Sequence, residues 1–239
     1  MEQPKIYIPI PTAALTHAAR MLQCAGVSLV DSAEEADLLL YPSPTPLTAL
    51  DDYCHGATII GGNLDFLNSC VSRIDLLKDP FYLADNASIT AEAALGLILS
   101  KLTCAVTESE ILILGWGRIG KCLTHQLHHL GAPISVYARK PEDRALLRSL
   151  GYRPITAEEL PQSLPKFRCV VNTAPAPILT EEDGKRLRPD CFKLDLASIR
   201  SIPGDGVLHA RGLPGKYKPE SSGKLIARTI LYHVGGGRK

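Results

Sequence analysis

The feature that most constrains the fold is a glycine pattern near the middle of the chain. Gly115, Gly117 and Gly120 form a G-x-G-x-x-G motif that follows an apolar run at 111–114 and opens a helix-like stretch at 118–130. In such a strand–turn–helix the first glycine permits a tight turn, the second lets the backbone approach a pyrophosphate, and the third lets helix and strand pack closely. The sequence therefore predicts a dinucleotide-binding Rossmann unit. The predicted cofactor contacts in the turn are Gly115, Trp116, Gly117, Arg118, Ile119 and Gly120.

A second pattern lies about 20 residues beyond the glycines, where NAD-binding domains place an acidic residue that accepts the ribose hydroxyls. Here the strand pattern ends as Ala138-Arg139-Lys140 and contains no carboxylate. A free 2′-hydroxyl lacks its usual acceptor, whereas a 2′-phosphate would meet two cations and the helix start at Pro141. We therefore expect NADP, with NAD as the alternative cofactor, and Arg139 and Lys140 as contacts. Exposed basic residues can also simply face solvent.

Two further apolar runs end in small polar residues. Residues 170–175 read Val-Val-Asn-Thr-Ala-Pro, and residues 194–198 read Leu-Asp-Leu-Ala-Ser. Open α/β sheets bind ligands beyond the carboxyl ends of their strands, where small side chains leave room for ribose and nicotinamide. Ordinary turn chemistry explains any single one of these residues equally well. The further predicted cofactor contacts are Asn172, Thr173, Ala174, Pro175, Ala197 and Ser198.

Short apolar runs alternate with helix-like stretches along the chain, which predicts an α/β protein. Its 239 residues suffice for two domains. We predict a smaller, flavodoxin-like α/β domain on the substrate side at 1–87, a bridging helix and linker at 88–106, and a Rossmann domain with a doubly wound parallel sheet at 107–214. A C-terminal helix at 215–234, with its regular pattern at 219–234, packs back toward the N-terminal domain, and 235–239 form a flexible tail. The clearest strands of the Rossmann domain are predicted at 111–114, 134–138, 169–172 and 192–196.

Composition narrows the classes of partner. A net charge of +1 gives no overall attraction to nucleic acid, and no apolar run is long enough to span a bilayer. The chain starts with a strand pattern instead of a signal peptide, so we expect a cytoplasmic protein. The seven cysteines form no Cys-x-x-Cys pair, and the histidines at 125, 128 and 129 lack a metal-motif partner. We therefore expect neither a disulfide framework nor a metal site.

Taken in order, these motifs resemble the NAD(P)-binding subunit of dipicolinate synthase. The segments that carry the resemblance, which covers roughly residues 80–234, are 86–92, 115–120, 136–140, 170–175, 194–198 and 212–216. The resemblance implies the two-domain fold of 2-hydroxyacid dehydrogenases and S-adenosylhomocysteine hydrolases. It also implies a nicotinamide-dependent oxidation of a dihydrodipicolinate-type precursor to dipicolinate, in the mother cell of a sporulating bacterium. A separate flavoprotein subunit and a homo- or hetero-oligomer are the implied partners.

Oxidation of a reduced pyridine dicarboxylate needs a hydride path, a base for the departing proton, and donors for two carboxylates. Glu92 is the candidate base, with Ser88 and Thr90 beside it at the expected start of the bridging helix, where free amides suit a carboxylate. Glu92 fits a plain capping role in a first helical turn equally well. Arg200 and Lys216, in loops after strand ends, are candidates to pair with the substrate carboxylates.

Two other functions stay open. A generic NAD(P)-dependent reductase of the 2-hydroxyacid dehydrogenase type needs a histidine with an acidic partner, and no Glu near His209 fills that role in the sequence. A non-catalytic, nucleotide-binding regulatory subunit would keep the glycine turn and lose the substrate side. Substrate turnover, as opposed to cofactor binding alone, separates these functions.

Overall fold

The computed structural model describes residues 3–49 and 56–235. The chain divides into two compact units. The first unit combines residues 1–89 with residues 214–239, and the second unit comprises residues 90–213. Most of the tail predicted to be flexible, residues 236–239, lies outside the described residues.

Eleven strands and eight α-helices make up the part of the chain that the structure describes. The strands are β1 (Lys5–Tyr7), β2 (Ser28–Leu29), β3 (Leu38–Leu40), β4 (Thr58–Gly61), β5 (Arg73–Asp75), β6 (Ile111–Leu114), β7 (Ile134–Tyr137), β8 (Arg153–Ile155), β9 (Cys169–Asn172), β10 (Phe192–Asp195) and β11 (Val207–His209). The helices are α1 (Ala13–Cys24), α2 (Pro80–Lys101), α3 (Arg118–His129), α4 (Pro141–Ser149), α5 (Leu160–Ser163), α6 (Glu181–Arg186), α7 (Leu213–Tyr217) and α8 (Pro219–Val234). None of these helices is both long and apolar enough to cross a bilayer.

The first unit is built on a five-stranded parallel sheet in the order β2-β1-β3-β4-β5. This is the flavodoxin-like order that the sequence predicts. One apolar core joins α1 and α8 to β1 and β3, with Ile6, Leu15 and Ile226 among its buried members. The two helices approach closely because Gly223 of α8 has no side chain: a Cβ there would lie 2.4 Å from the Ala14 carbonyl oxygen.

The second unit is built on a six-stranded parallel sheet in the order β11-β10-β9-β6-β7-β8. Numbered within the unit and taken from the opposite edge, this is the Rossmann order 3-2-1-4-5-6, so the predicted fold class is confirmed. Strand β6 lies inside the sheet, with Ile111 and Ile113 in the core on one face and Leu112 and Leu114 in the core on the other. Burial on both faces explains its uninterrupted apolar run.

The sequence-based prediction is wrong about the start of the bridging helix, which it places at Ser88. Helix α2 begins at Pro80 and crosses from the first unit into the second after residue 89. Asp79 accepts a 2.8 Å hydrogen bond from the Tyr82 amide, and proline suits a first helical position because it has no N–H to satisfy. The short edge strands β5, β8 and β11 are also absent from the prediction, since an edge strand buries few side chains and leaves a weak pattern.

Candidate cofactor site

The glycine turn after β6 leaves no room for side chains at two of its three glycines. Gly115 has a φ of +107°, which favours glycine, and a Cβ there would lie 2.9 Å from Thr173 Oγ1. At Gly120 a Cβ would lie 2.3 Å from the Gly115 carbonyl oxygen, whereas at Gly117 it would meet nothing within 4 Å. The turn is therefore closed on the side of the sheet and open at Gly117. This is the geometry that a pyrophosphate requires.

Helix α3 begins beside this opening with uncapped amides. Its N-cap residue is Gly117, which has no side chain to accept from them, and its first turn contains no acidic residue. Unpaired amides and the helix dipole together place partial positive charge at this end. A pyrophosphate could therefore accept hydrogen bonds here without displacing a protein group, so the residues present fit a dinucleotide.

The side chain of Trp116 stabilises the turn from the core side. Its indole packs against the apolar core of the second unit and lies edge-on to Tyr152, with 5.9 Å between ring centroids. The Lys121 ammonium lies 5.8 Å from the centre of the same indole. These contacts leave the backbone of Trp116, rather than its ring, as its natural contribution to cofactor binding.

Thr173 ties the ends of β6 and β9 together at the point where the strand order reverses. Its amide donates to the Leu114 carbonyl oxygen at 2.9 Å, and its hydroxyl donates to the same oxygen at 3.1 Å. Open α/β sheets bind their ligands at such a switch point. The structure thus places the predicted segment 172–175 directly beside the glycine turn.

Asp195 organises the next strand end, and it is not among the residues predicted from the sequence. Its carboxylate is buried, accepts from Asn172 Nδ2 at 2.9 Å, and accepts from the backbone amides of Ala197 and Ser201 at 3.1 and 2.7 Å. A buried carboxylate needs such donors to offset its desolvation. The predicted contacts Ala197 and Ser198 are therefore held in place by Asp195. An acidic residue at the end of an apolar strand is the signal that could have found it.

Asp195 is also an acidic neighbour of His209, which the sequence alone does not reveal. In the sequence this histidine has no Glu near it, but β10 and β11 pair Asp195 with His209 in register. The distance from His209 Nδ1 to Asp195 Oδ2 is 4.0 Å, which is an ion-pair distance but too long for a hydrogen bond. An acidic neighbour for His209 thus exists, supplied by the adjacent strand.

The loop between β7 and α4 carries the predicted cations. Arg139 and Lys140 are exposed at its tip. Arg144, in the first half of α4, turns back and donates from Nη1 to the carbonyl oxygens of Ala138 at 2.9 Å and Arg139 at 2.7 Å. The first turn of α4 also contains two carboxylates, Glu142 and Asp143, whose negative charge would repel the 2′-phosphate predicted at the Pro141 helix start.

The predicted catalytic residues fall into different parts of the chain. Ser88 belongs to the first unit, and Thr90 and Glu92 belong to the second. All three lie well inside α2, where backbone amides bond within the helix, so the expected free amides and the first-turn capping role are wrong. The side chains of Ser88 and Glu92 are exposed, and that of Thr90 is buried.

Of the two predicted carboxylate anchors, Arg200 is exposed in the loop after β10 as predicted, whereas Lys216 is exposed in α7, so its predicted place in a loop is wrong. They belong to the second and the first unit, respectively. The structure adds Arg211, which follows β11 and donates from Nη2 to the Ser198 carbonyl oxygen. No sequence pattern links residues 198 and 211, so this cation near Ser198 could not be predicted.

Histidines on α3 do not assemble a metal site with their neighbours. His125 and His129 stack edge-on with 4.2 Å between ring centroids, and His129 Nδ1 lies 2.8 Å from the His125 carbonyl oxygen. Within residues 3–49 and 56–235, no group of three or more His, Cys, Asp or Glu side chains is placed to hold a metal ion.

Comparison with known proteins supports the resemblance to dipicolinate synthase. No protein-family model matches the chain. It is 28% identical to a dipicolinate synthase subunit from Bacillus subtilis over 153 residues, which cover 61% of this chain and 52% of that protein. The resemblance inferred from the motifs is confirmed. The sequence match spans about half the length of this curated relative.

Solved structures with a similar fold cover nearly all of the chain. The crystal structure of a dipicolinate synthase subunit from Bacillus halodurans has a TM-score of 0.82 at 18% identity, with 97% of each chain covered. The crystal structure of a dipicolinate synthase polypeptide from Bacillus subtilis has a TM-score of 0.80 at 20% identity, with 98% of this chain and 97% of that chain covered. The fold similarity therefore extends beyond the 153 residues of the sequence match.

Proposed function

We propose that this chain is an NADP-dependent oxidoreductase of the dipicolinate synthase type, acting on a dihydrodipicolinate-type precursor. In this reaction the substrate gives a hydride to NADP⁺ and a proton to a base, which leaves dipicolinate and NADPH. The observation that carries the proposal is the glycine turn, closed at Gly115 and Gly120 and open at Gly117. The relative that supports the substrate class is the dipicolinate synthase subunit from Bacillus subtilis.

NADP is proposed over NAD because of the charges at the end of β7. Arg139 and Lys140 are exposed there, and β7 itself contains no carboxylate that could accept a hydrogen bond from a ribose hydroxyl. A phosphate binds guanidinium and ammonium groups through charge-assisted hydrogen bonds. NAD stays the alternative, since Glu142 and Asp143 bring negative charge to the following turn.

The substrate-side roles follow from side chains rather than from helix amides. We assign Glu92 as the base, through its exposed carboxylate, and Ser88, one helical turn before it, as a hydroxyl donor. Thr90 is buried, so we assign it no direct contact with the substrate. Arg200 and Lys216 would pair with the two carboxylates of the substrate.

The partners follow from the same resemblance. A small dicarboxylate would be the substrate, and a flavoprotein subunit would complete a hetero-oligomer, with a homo-oligomer as the simpler case. The setting would be the cytoplasm of the mother cell during sporulation.

Turnover tests the proposal directly. Incubation with NADP⁺ and dihydrodipicolinate should produce NADPH, with or without an added flavoprotein. NADPH is measured by the absorbance of its reduced nicotinamide ring. Replacement of Glu92 by glutamine should lower the rate roughly 100-fold or more with unchanged NADPH affinity. Tight NADPH binding without any turnover under both conditions would contradict catalysis and support a regulatory role.

One observation favours a second candidate, a generic reductase of the 2-hydroxyacid dehydrogenase type. The proximity of His209 to Asp195 supplies the histidine and acidic neighbour that such chemistry uses. Oxidation of NADPH by simple 2-oxo acids, together with no turnover of dihydrodipicolinate, would decide for this candidate.

A further inference from the structure

The loop between β7 and α4 is held rigid from both of its ends. On one side, Arg144 Nη1 bonds the carbonyl oxygens of Ala138 and Arg139. On the other side, Pro141 follows Lys140, which therefore takes an extended conformation with φ −80° and ψ 133°. The backbone from which the Arg139 and Lys140 side chains project is thus fixed before any ligand binds.

Arg144 is only partly used by these two bonds. Nη1 supplies both of them, and a guanidinium has further N–H groups on Nη2 and Nε. Its side chain is half-buried beside the exposed tip of the loop. A guanidinium that is already oriented loses little freedom when it binds an anion in the fork geometry.

The charges of the loop balance closely. Residues 139–144 contain three cations, Arg139, Lys140 and Arg144, and two carboxylates, Glu142 and Asp143. Glu158 is a further carboxylate close to Arg144: its own backbone N–H and Thr156 lower the pKa of Glu158 most, and the charge of Arg144 adds to that effect. Loss of Arg144 would lower the net charge of residues 139–144 from +1 to 0, which would weaken the attraction that Arg139 and Lys140 offer to a phosphate.

We propose that Arg144 determines the choice of nicotinamide cofactor, by holding Arg139 in place and by joining it in binding the 2′-phosphate of NADP(H). The inference rests on the proposed function in one respect, that the adenosine ribose lies at the end of β7. A ribose with a free 2′-hydroxyl carries no charge and gains little from the guanidinium. Arg144 is therefore a specificity-determining residue that the glycine turn and the strand end do not reveal.

The test compares Arg144→Ala and Arg144→Lys with the wild-type chain. Dissociation constants for NADPH and NADH are measured by fluorescence, and binding of 2′,5′-ADP is measured by calorimetry as a probe of the phosphate alone. Arg144→Ala should weaken NADPH and 2′,5′-ADP roughly 10- to 100-fold, because it removes charge-assisted bonds. NADH affinity should stay within about twofold of the wild type. Arg144→Lys keeps the charge and loses the fork geometry, so its NADPH affinity should lie between those of the wild type and Arg144→Ala.

Matched variants separate this role from a structural one. Arg148→Ala removes an exposed cation from the same helix and should leave all three affinities unchanged. Arg139→Ala should reproduce the selective loss of NADPH. Melting curves verify that each variant folds. If Arg144→Ala does not fold, the comparison of Arg144→Lys with the wild type decides the test.

Four results would overturn the inference, and they differ in what they say about the proposed function. Equal weakening of NADPH and NADH in both Arg144 variants, or no change in either, would remove Arg144 from cofactor choice while the proposed function stands. Equal binding of NADPH and NADH by the wild-type chain would contradict the proposed 2′-phosphate site, but it would agree with binding of a nicotinamide cofactor. A wild-type chain that binds neither cofactor would overturn the proposed function as well.

Discussion

The starts of α3 and α6 lie in the same unit, but side chains cap the first amides of α6 and none caps those of α3. Helix α6 begins with a complete capping box: Thr180 Oγ1 accepts from the Asp183 amide at 3.2 Å, and Asp183 accepts from the Thr180 amide at 2.9 Å. Its first turn contains three acidic residues. Helix α3 begins at Gly117 with no side-chain cap and no acidic residue.

This difference separates stability from function at two similar positions. A capped start satisfies amides from within the chain, which stabilises the fold and leaves nothing to bind an anion. An uncapped start forgoes that stabilisation and keeps its amides and dipole for a ligand. Helix α2 belongs with α6, since Asp79 caps it. Among the three starts compared, only that of α3 stays available for a pyrophosphate.

The largest effect is expected when the start of α3 is made to resemble that of α6. Gly117→Asp places a carboxylate at the open position, where like charge should weaken NADPH binding by about 100-fold or more. The melting temperature should not fall, because Asp is a favoured N-cap residue and Gly117 already has an extended conformation with φ −80°. Fluorescence titration and a thermal melt measure the two effects.

Gly117→Asn is the matched control for this change. It offers a similar cap of similar size without the charge, so its loss of NADPH affinity should be clearly smaller. Equal losses in both variants would show that bulk, not charge, decides. Unchanged affinity in Gly117→Asp would contradict the site.

A smaller effect is expected when the start of α6 is opened. Thr180→Ala removes the hydroxyl of the capping box and should lower the free energy of unfolding by about 1 kcal/mol, measured by urea denaturation. NADPH affinity should not change, since this helix start is closed to ligands. A loss of cofactor affinity without a loss of stability would place α6 in the binding site and break the comparison.

The smallest effect concerns the cap of α2 and depends on pH. Burial by itself raises the pKa of Asp79, but hydrogen bonds from the Tyr82 and Phe81 amides and from His233 outweigh it, so the pKa lies below the usual value. The stabilisation is therefore present above the unfolded-state pKa, about 3.9, and is lost as pH falls through the lower folded-state value. The free energy of unfolding, measured from neutral to acid pH, should be lower for Asp79→Asn than for the wild type near neutrality. This difference should shrink as the pH falls below about 3.9. A difference independent of pH would exclude the ionised cap.

Much of the second unit could be predicted because its central strands carry their own signals. The strands at 111–114 and 169–172 have the predicted bounds, and so does the helix at 219–234 in the first unit. Burial on both faces demands an apolar run, and a glycine turn demands glycines, so local sequence is sufficient there. The predicted start of α2 is wrong although Asp79-Pro80 is a start signal, since the apolar pattern after Ser88 is the stronger of the two.

The sequence by itself determined the form of the glycine turn at which we propose that a dinucleotide binds, because the absence of a Cβ at positions 115 and 120 is a property of the residue type. Only the tertiary structure decided what surrounds that turn. Asp195 reaches His209 and the loop at 197–201, and Arg144 bonds back to the end of β7, through contacts that depend on how strands and helices are brought side by side. Such contacts depend on the direction of a side chain, which leaves no periodic pattern in a sequence, so these residues could not be predicted from it.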